Sequence, residues 1–158
     1  MRLFFLSVVM MFSLSVAAQI ERDTTLSRCP VFIIDTVSGN NFFNNARSAI
    51  LKVYRVKGNL TIAIEQKDQT FTLFFRDKRL KSTKYKIQTY ADGRNEIIAK
   101  YTFSIGDQVS YISVSSGIVE VLFDKEKGLW MIKMTGLIAN YSGSSVSNYK
   151  VRANFSIK

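Results

Sequence analysis

The last ten residues of the chain follow a strict two-residue rhythm, which limits the possible fold more than any other feature. Apolar side chains occupy every second position from Tyr149 to Ile157, and polar side chains fill the positions between them. Side chains of a β-strand point alternately to its two faces, so one face of this segment meets a core and the other meets water. A helix would scatter the same residues around its surface. The segment therefore predicts a half-buried strand.

The same rhythm recurs through most of the chain, and short turn signals interrupt it. These signals are Gly58-Asn59, Asp92-Gly93, Gly106-Asp107 and the five-residue hairpin loop 124–128. Alternating segments with turns every 8–12 residues or so are typical of sandwiches and barrels. We therefore predict an all-β fold, a single antiparallel β-sandwich or barrel of about 8–10 strands. Spacing does not encode strand order, so both arrangements stay open.

The N-terminal residues predict export. Arg2 is followed by an apolar run up to Val16, and Val16-Ala17-Ala18 places small residues before Gln19. This pattern is typical of a signal peptide. The run of about 14 residues is shorter than the roughly 20 that a membrane-spanning helix needs. We expect cleavage after Ala18, a periplasmic or secreted product, and no membrane-spanning segment.

The chain beyond the signal peptide divides into two parts. Residues 1–18 are the predicted signal peptide, residues 19–29 are polar and predict a flexible lead-in, and residues 30–158 predict the single β-domain. No internal repeat or domain boundary interrupts this last part. The oligomeric state is left open.

Residue types that are rare or absent exclude several chemistries. The chain has one cysteine, Cys29, and no histidine. An internal disulfide is therefore impossible, and so are serine or cysteine nucleophiles activated by histidine and zinc sites with histidine ligands. Cys29 lies well beyond the apolar run and follows Arg28, so a lipid anchor at this cysteine is not expected. We expect a non-enzymatic protein without metal or cofactor.

Carboxylates are the remaining candidates for catalysis. Glycoside hydrolysis needs two acids about 5–10 Å apart, and Glu65, Glu96 and Glu120 lie within predicted strands. Alternation places Glu120 on the solvent face, opposite Val119 and Val121, which favours an ordinary solvated carboxylate. A glycan-active enzyme that uses only carboxylates is kept as an alternative function.

A strong excess of positive charge points to anionic partners. Lysine and arginine number 22 against 12 acids, a net charge of +10. The densest cluster, here called the basic segment, comprises Arg76, Lys78, Arg79, Lys81, Lys84 and Lys86, with Asp77 as its single acid. It predicts either capture of a polyanion or a solvated edge whose lysines discourage aggregation. An anionic polysaccharide or lipid surface fits an exported protein, and nucleic acid is not expected.

Aromatic content supports a different alternative. Aromatic residues make up 13% of the chain, including Trp130 and rows of inward-facing phenylalanines. Barrels of about eight strands can hold one small ligand. A lipocalin-like barrel that binds a small apolar ligand in its interior is therefore a second hypothesis.

Several turn motifs occur together in the second half of the chain. They are Val114-Ser115-Ser116-Gly117, the charged hairpin Phe123–Gly128, Thr135-Gly136-Leu137 and the alternating strand Tyr149–Lys158, with the Gly58–Ile62 hairpin earlier. In this order they resemble a group of short exported domains of unknown function from Gram-negative bacteria. The resemblance implies an all-β fold and export, and it implies no activity or site.

Overall fold

The computed structural model describes residues 20–43, 48–142 and 145–158, in which the chain forms eleven strands and no helix. The strands are β1 (Ile20–Leu26), β2 (Val31–Asp35), β3 (Ala49–Val56), β4 (Asn59–Gln66), β5 (Gln69–Phe75), β6 (Thr83–Ile87), β7 (Glu96–Ile105), β8 (Gln108–Ser113), β9 (Ser116–Asp124), β10 (Leu129–Ser142) and β11 (Ser145–Ile157). The all-β prediction is confirmed, with more strands than the 8–10 expected. The predicted signal peptide lies outside the described residues.

The strands form one strongly curled, open sheet that resembles half of a barrel. Its order is β1-β3-β4-β5-β7-β6-β9-β10-β11-β2, and β8 pairs with β7. Adjacent strands are antiparallel except for β6 and β7, which run parallel. β1 and β2 are therefore the two edges of the sheet.

The core fills the inside of the curl. Alternate residues of the strands enter it, and the largest fully buried side chains include Phe71, Phe75 and Tyr85. The rings of Phe75 and Tyr85 meet edge to face at 5.1 Å. In β11, Val151 and Ala153 are buried while the residues between them face solvent, as the two-residue rhythm predicts. Burial of each large apolar side chain contributes about 1.5–3 kcal/mol.

The predicted flexible lead-in over residues 19–29 is wrong for residues 20–26. These residues form β1, which pairs antiparallel with β3 and places Asp23 opposite Lys52. The side chains of residues 22–25 are all exposed, so β1 depends mainly on main-chain hydrogen bonds at the edge of the sheet, with Leu26 at its end packed against the core. An edge strand of this kind has no apolar alternation, which is why the sequence pattern did not reveal it.

The Ser- and Gly-rich composition of residues 140–148 predicts a loop, and this prediction is wrong for 140–142 and 145–148. β10 continues to Ser142 and β11 begins at Ser145, so that Tyr141 lies opposite Val146 in the ladder. Both of these side chains are exposed. The end of this hairpin extends beyond the buried core, and its Ser- and Asn-rich composition suits a solvated ladder as well as a loop.

The hairpin between β3 and β4 turns one residue earlier than expected. Lys57 and Gly58, rather than Gly58 and Asn59, form the two-residue turn, with φ angles of 51° and 80°. Two consecutive positive φ values define the turn whose twist matches that of the flanking strands. The hairpin itself is confirmed.

A pair of glycines lies where the chain passes from β8 to β9. Gly117 faces Gly136 in the ladder between β9 and β10. A Cβ atom on Gly136 would lie 2.8 Å from Cγ1 of Val114, and one on Gly117 would collide with the carbonyl oxygen of Thr135. A glycine within an alternating segment predicts a bulge or a close backbone approach, and Gly136 shows the close approach. It lets residues 114–115 cross from β7 to β10, donating N–H groups to a backbone carbonyl of each.

Candidate functional site

The basic segment spans the end of β5, a connection and the whole of β6. Lys84 and Lys86 lie on the solvent side of β6, whereas Tyr85 and Ile87 enter the core. The inward orientation of Tyr85 agrees with the alternation of this strand. Arg76 follows β5 directly, and its Nη1 atom donates a 2.8 Å hydrogen bond to the carbonyl oxygen of Ala91.

Two cations of the basic segment form ion pairs. Nζ of Lys81 lies 2.7 Å from Oδ1 of Asp77, and Nζ of Lys84 lies 2.8 Å from Oε1 of Glu120. The hydrogen bond from Lys84 lowers the pKa of Glu120. The segment thus offers an anionic partner less positive charge than its six basic residues indicate.

Asp77 also contacts Tyr85, the residue between Lys84 and Lys86 whose side chain enters the core. Its Oδ2 atom accepts a 3.3 Å hydrogen bond from the hydroxyl group of Tyr85. Burial, followed by the nearby charge of Asp77, raises the pKa of Tyr85 to about 12. The tyrosine therefore stays a neutral donor, and the carboxylate fixes the connection between β5 and β6.

A groove of about 620 Å³ lies beside the basic segment. Its charged lining consists of three cations, Arg76, Lys81 and Arg94, and three acids, Asp77, Asp92 and Glu96. Oε2 of Glu96 accepts backbone hydrogen bonds from Asp92 at 3.0 Å and Gly93 at 2.7 Å, and the bond from Gly93 is the main reason that its pKa is lowered. With balanced charges, the groove has no clear preference for an anion.

The three candidate carboxylates have separate local roles. Glu65 pairs with Lys52 at 2.7 Å, Glu96 holds a turn, and Glu120 pairs with Lys84. Four strand steps separate Glu65 from Glu120, about 19 Å along the sheet, which exceeds the spacing used in glycoside hydrolysis. Among the described residues, no group of three or more His, Cys, Asp or Glu could hold a metal ion.

A larger basic surface lies on the solvent side of β6, β9, β10, β11 and β2, here called the outer face. Strand register places Lys86, Ile118, Thr135, Arg152 and Phe32 in one row across the five strands. The neighbouring rows are Lys84-Glu120-Lys133-Asn154, Ser116-Leu137-Lys150-Ile34 and Leu122-Met131-Ser156.

Charge and exposed apolar surface coexist on the outer face. Its cations are Lys84, Lys86, Lys133, Lys150 and Arg152, and its acids are Glu120 and, at the end of β9, Asp124, which lies 3.7 Å from Lys127. Five large apolar side chains point outward between them, with exposures from 39% for Met131 to 55% for Leu122; the others are Phe32, Ile118 and Leu137. Sequence reasoning missed this surface because its residues come from five segments and alternate with core residues.

Shallow depressions mark the outer face. One of about 380 Å³ is lined by Ile118, Leu137, Lys150 and Arg152 together with the glycine pair. Another of about 380 Å³ lies between Phe32 and Arg152. Each depression places a guanidinium group beside apolar carbon, which is the chemistry of an amphiphilic rather than a purely ionic contact surface.

A separate pocket of about 260 Å³ opens at one end of the curl, here called the end pocket. Its lining is mainly apolar and consists of Ile33, Phe42, Gln69, Tyr101, Phe103, Ile112, Ile138, Asn140 and Tyr149. Nε2 of Gln69 donates to the hydroxyl oxygen of Tyr101 at 2.9 Å and to the carbonyl oxygen of Phe42 at 3.0 Å. Trp130 does not line this pocket; it packs against Phe123 with ring centroids 4.9 Å apart.

No protein family, curated protein or solved structure matches this chain. The resemblance to exported domains of Gram-negative bacteria therefore stays a prediction. Within residues 20–43, 48–142 and 145–158, no helix is long and apolar enough to cross a membrane.

Proposed function

We propose that this chain is an exported, non-enzymatic β-domain that binds an anionic partner at the cell envelope through its basic outer face. The observation that carries the proposal is the charge of that face, five cations against two acids, of which Glu120 is paired to Lys84 and Asp124 to Lys127. Such a surface attracts polyanions over several ångströms and orients them before contact. The signal-peptide pattern of residues 1–18 supports export.

The basic segment contributes to this surface in part. Lys84 and Lys86 belong to the outer face itself, and the connection that carries Lys78, Arg79 and Lys81 leads directly into β6. Lys150 and Arg152 are expected to contribute most, because Lys81 and Lys84 are paired with acids of this chain and Lys86 lies opposite Glu96 in the register. An anionic polysaccharide and an anionic lipid share the required chemistry.

Salt-gradient chromatography on heparin and on immobilised lipopolysaccharide tests this proposal. The double variant Lys150→Glu/Arg152→Glu should elute at clearly lower salt than the wild type, and Lys81→Glu/Lys84→Glu/Lys86→Glu should show a related shift. Lys57→Glu/Lys67→Glu provides the control for the double variant. Both lysines lie in hairpin turns of β3–β5, and the net charge changes by the same amount as in Lys150→Glu/Arg152→Glu. Elution of the double variant together with this control would contradict the proposal.

The end pocket favours a second candidate function, binding of a small apolar ligand. Its volume of about 260 Å³ lies near the lower end of the range for ligand pockets, roughly 300–1,000 Å³. An opening of this kind suits a half-barrel better than two packed sheets, and we propose that arrangement. Fatty acids of medium chain length should displace a fluorescent apolar probe, and Ile138→Trp, which fills the pocket, should abolish displacement. Unchanged displacement by this variant would reject the pocket as the site.

A further inference from the structure

We infer that the partner of the outer face is an anionic lipid bilayer, with apolar side chains of this face entering the headgroup layer between the cations. This inference rests on the proposed function and names the partner of the same surface. Three observations support it: the positions of the apolar residues, their spacing relative to the cations, and the strands that project furthest from the convex side of the sheet.

Apolar and cationic side chains alternate across the strands of this face. Ile118 lies between Lys86 and Thr135, and Arg152 lies between Thr135 and Phe32. Neighbouring strands are about 4.8 Å apart, so an apolar side chain here has a cation within one or two strand spacings. A lipid headgroup region offers both a phosphate and adjacent acyl carbon at this spacing.

The exposed apolar side chains distinguish a lipid surface from a polysaccharide. Ile118, Leu122 and Leu137 are aliphatic, and each is about half exposed. Sugar rings are bound mainly by stacking on aromatic faces and by hydrogen bonds, and the outward aromatic rings of this face, Phe32 on β2 and Tyr141 at the far end of β10, lie apart from the central aliphatic residues. Amphiphilic surfaces with basic and aliphatic residues instead bind at the boundary between headgroups and acyl chains of anionic membranes.

The curl of the sheet decides which residues reach a flat membrane first. β10 is the middle strand of the five, and its neighbours β9 and β11 carry Ile118, Lys150 and Arg152. Because the outside of a curled sheet is convex, these central strands project furthest toward a flat surface. Leu137 and Lys133 on β10 would therefore contact the bilayer together with Arg152.

Flotation with lipid vesicles tests the inference on the purified mature chain. Vesicles of phosphatidylcholine alone are compared with vesicles containing about 30% phosphatidylglycerol, at low and high salt. The apolar variant is Ile118→Thr/Leu137→Thr, and the charge variant is Lys150→Glu/Arg152→Glu. The matched control is Ile50→Thr/Val56→Thr, which changes two exposed β3 residues outside the outer face.

Binding of the wild type to phosphatidylglycerol vesicles, with part of it surviving high salt, is the expected result. The apolar variant should bind these vesicles on the order of tenfold more weakly while keeping its retention on heparin. The charge variant should lose both activities, and the control should lose neither. Circular dichroism and urea unfolding establish that each variant is folded.

The remaining outcomes separate failure of this inference from failure of the proposed function. Wild-type retention on heparin without vesicle binding would overturn the lipid partner and leave the proposed function standing. Vesicle binding by the apolar variant that equals the wild type would overturn insertion of the apolar side chains. Absence of both heparin and vesicle binding in the wild type would overturn both proposals.

Discussion

The outward side chains at the centre of β4 and β5 are small and buried, whereas those of β9 and β10 are large and half exposed. Thr61 and Ala63 are each 1% exposed and Thr72 is 6% exposed, but Ile118 and Leu137 are 46% and 45% exposed. Both regions carry the same apolar core on their inward side. They differ in whether neighbouring side chains of this chain cover the outward residues.

Neighbouring side chains cover the outward side at the centre of β4 and β5, and the region of β3, β4, β5 and β7 around this centre is here called the covered half; Ile50 and Val56, near the ends of β3, stay exposed. Thr61 lies between Tyr54 and Phe74 in the register. Nζ of Lys100 lies 5.9 Å from the ring of Phe74 and 4.8 Å from that of Tyr111, distances at which a cation is attracted to the ring face.

Charges follow the same division. Lys52 is paired with Glu65 in the covered half, whereas four of the five cations on the outer face exceed what Glu120 can neutralise. The centre of the covered half is shielded by side chains of this chain, whereas the centre of the outer face leaves both apolar carbon and positive charge available to a partner. This difference, rather than the overall charge of the chain, locates the candidate interface.

The largest expected effect concerns the junction between the two regions. Gly117→Ala should lower the free energy of unfolding by about 3 kcal/mol, because the added Cβ collides with the backbone of Thr135 at a φ of 154°. Gly106→Ala is the control, since its φ of 58° is also positive but nothing lies within 4 Å, and about 1 kcal/mol is expected. Urea denaturation measures both. Equal losses would show that β8 and β9 tolerate a looser crossing than the structure describes.

Enlarging an outward residue should distinguish the covered half from the outer face directly. Ala63→Leu should destabilise the protein by about 2 kcal/mol, because Lys52 and Thr72 occupy the adjacent positions and overpacking forces them aside. Thr135→Leu on β10 should change stability by less than about 0.5 kcal/mol, as at an ordinary surface site. Chemical denaturation measures the free energy of unfolding of both variants. Similar losses of stability in the two would contradict the difference between the covered half and the outer face.

Ion pairs should show a smaller difference of the same kind. A double-mutant cycle with Lys52→Met and Glu65→Gln should give a coupling energy of up to about 1 kcal/mol, since both side chains are partly shielded. The corresponding cycle for Lys84 and Glu120 should give a weaker coupling, because these side chains are more exposed and more easily screened by salt. A stronger coupling in the second pair would reverse the expected order.

The smallest expected effect is a dependence on acid pH. Hydrogen bonds from the N–H of Gly93 and from Lys84 lower the pKa values of Glu96 and Glu120, respectively. A carboxyl group whose folded pKa is lowered contributes stability above its unfolded pKa, about 4.3, and this contribution is lost as pH falls through the folded value. Glu96→Gln/Glu120→Gln should therefore reduce the pH dependence of urea unfolding between about pH 5 and 3.

The control for this pH series is Glu126→Gln, in the exposed hairpin loop between β9 and β10. It removes a charge without removing either of the two hydrogen-bonded carboxylates. A slope reduced as much by the control as by the double variant would attribute the effect to net charge alone.

Local patterns predicted much of the inward side of the sheet. Alternation was enough to place Val151, Ala153 and Tyr85 in the core, because a half-buried strand exposes every second residue whatever its partner is. A glycine inside the β10 segment predicted either a bulge or a close backbone approach at Gly136, and the second was found. These features depend on a few consecutive residues and on the geometry of a single strand.

Features that depend on strand partners could not be predicted in this way. β1 has no apolar rhythm because β3 holds it by main-chain hydrogen bonds at an edge. The basic segment was predicted from six nearby cations, but pairing of β6 with β9 places Glu120 against Lys84. The same pairing brings Ile118 beside Lys86, and the next two ladders add Arg152. Register between distant segments, rather than composition, assembles this surface.

β2 follows β1 closely in the chain but lies at the opposite edge of the sheet, where it pairs with β11. Val31 faces Ala153 and Asp35 faces Tyr149, so this early strand meets its partner only after β11 has been synthesised. Pairings between such distant segments form slowly because a long loop must close first. Loss of β11 from Tyr149 onward should consequently release β2, a strand from the beginning of the chain, so the stability of one edge of the sheet depends on the strand that is made last.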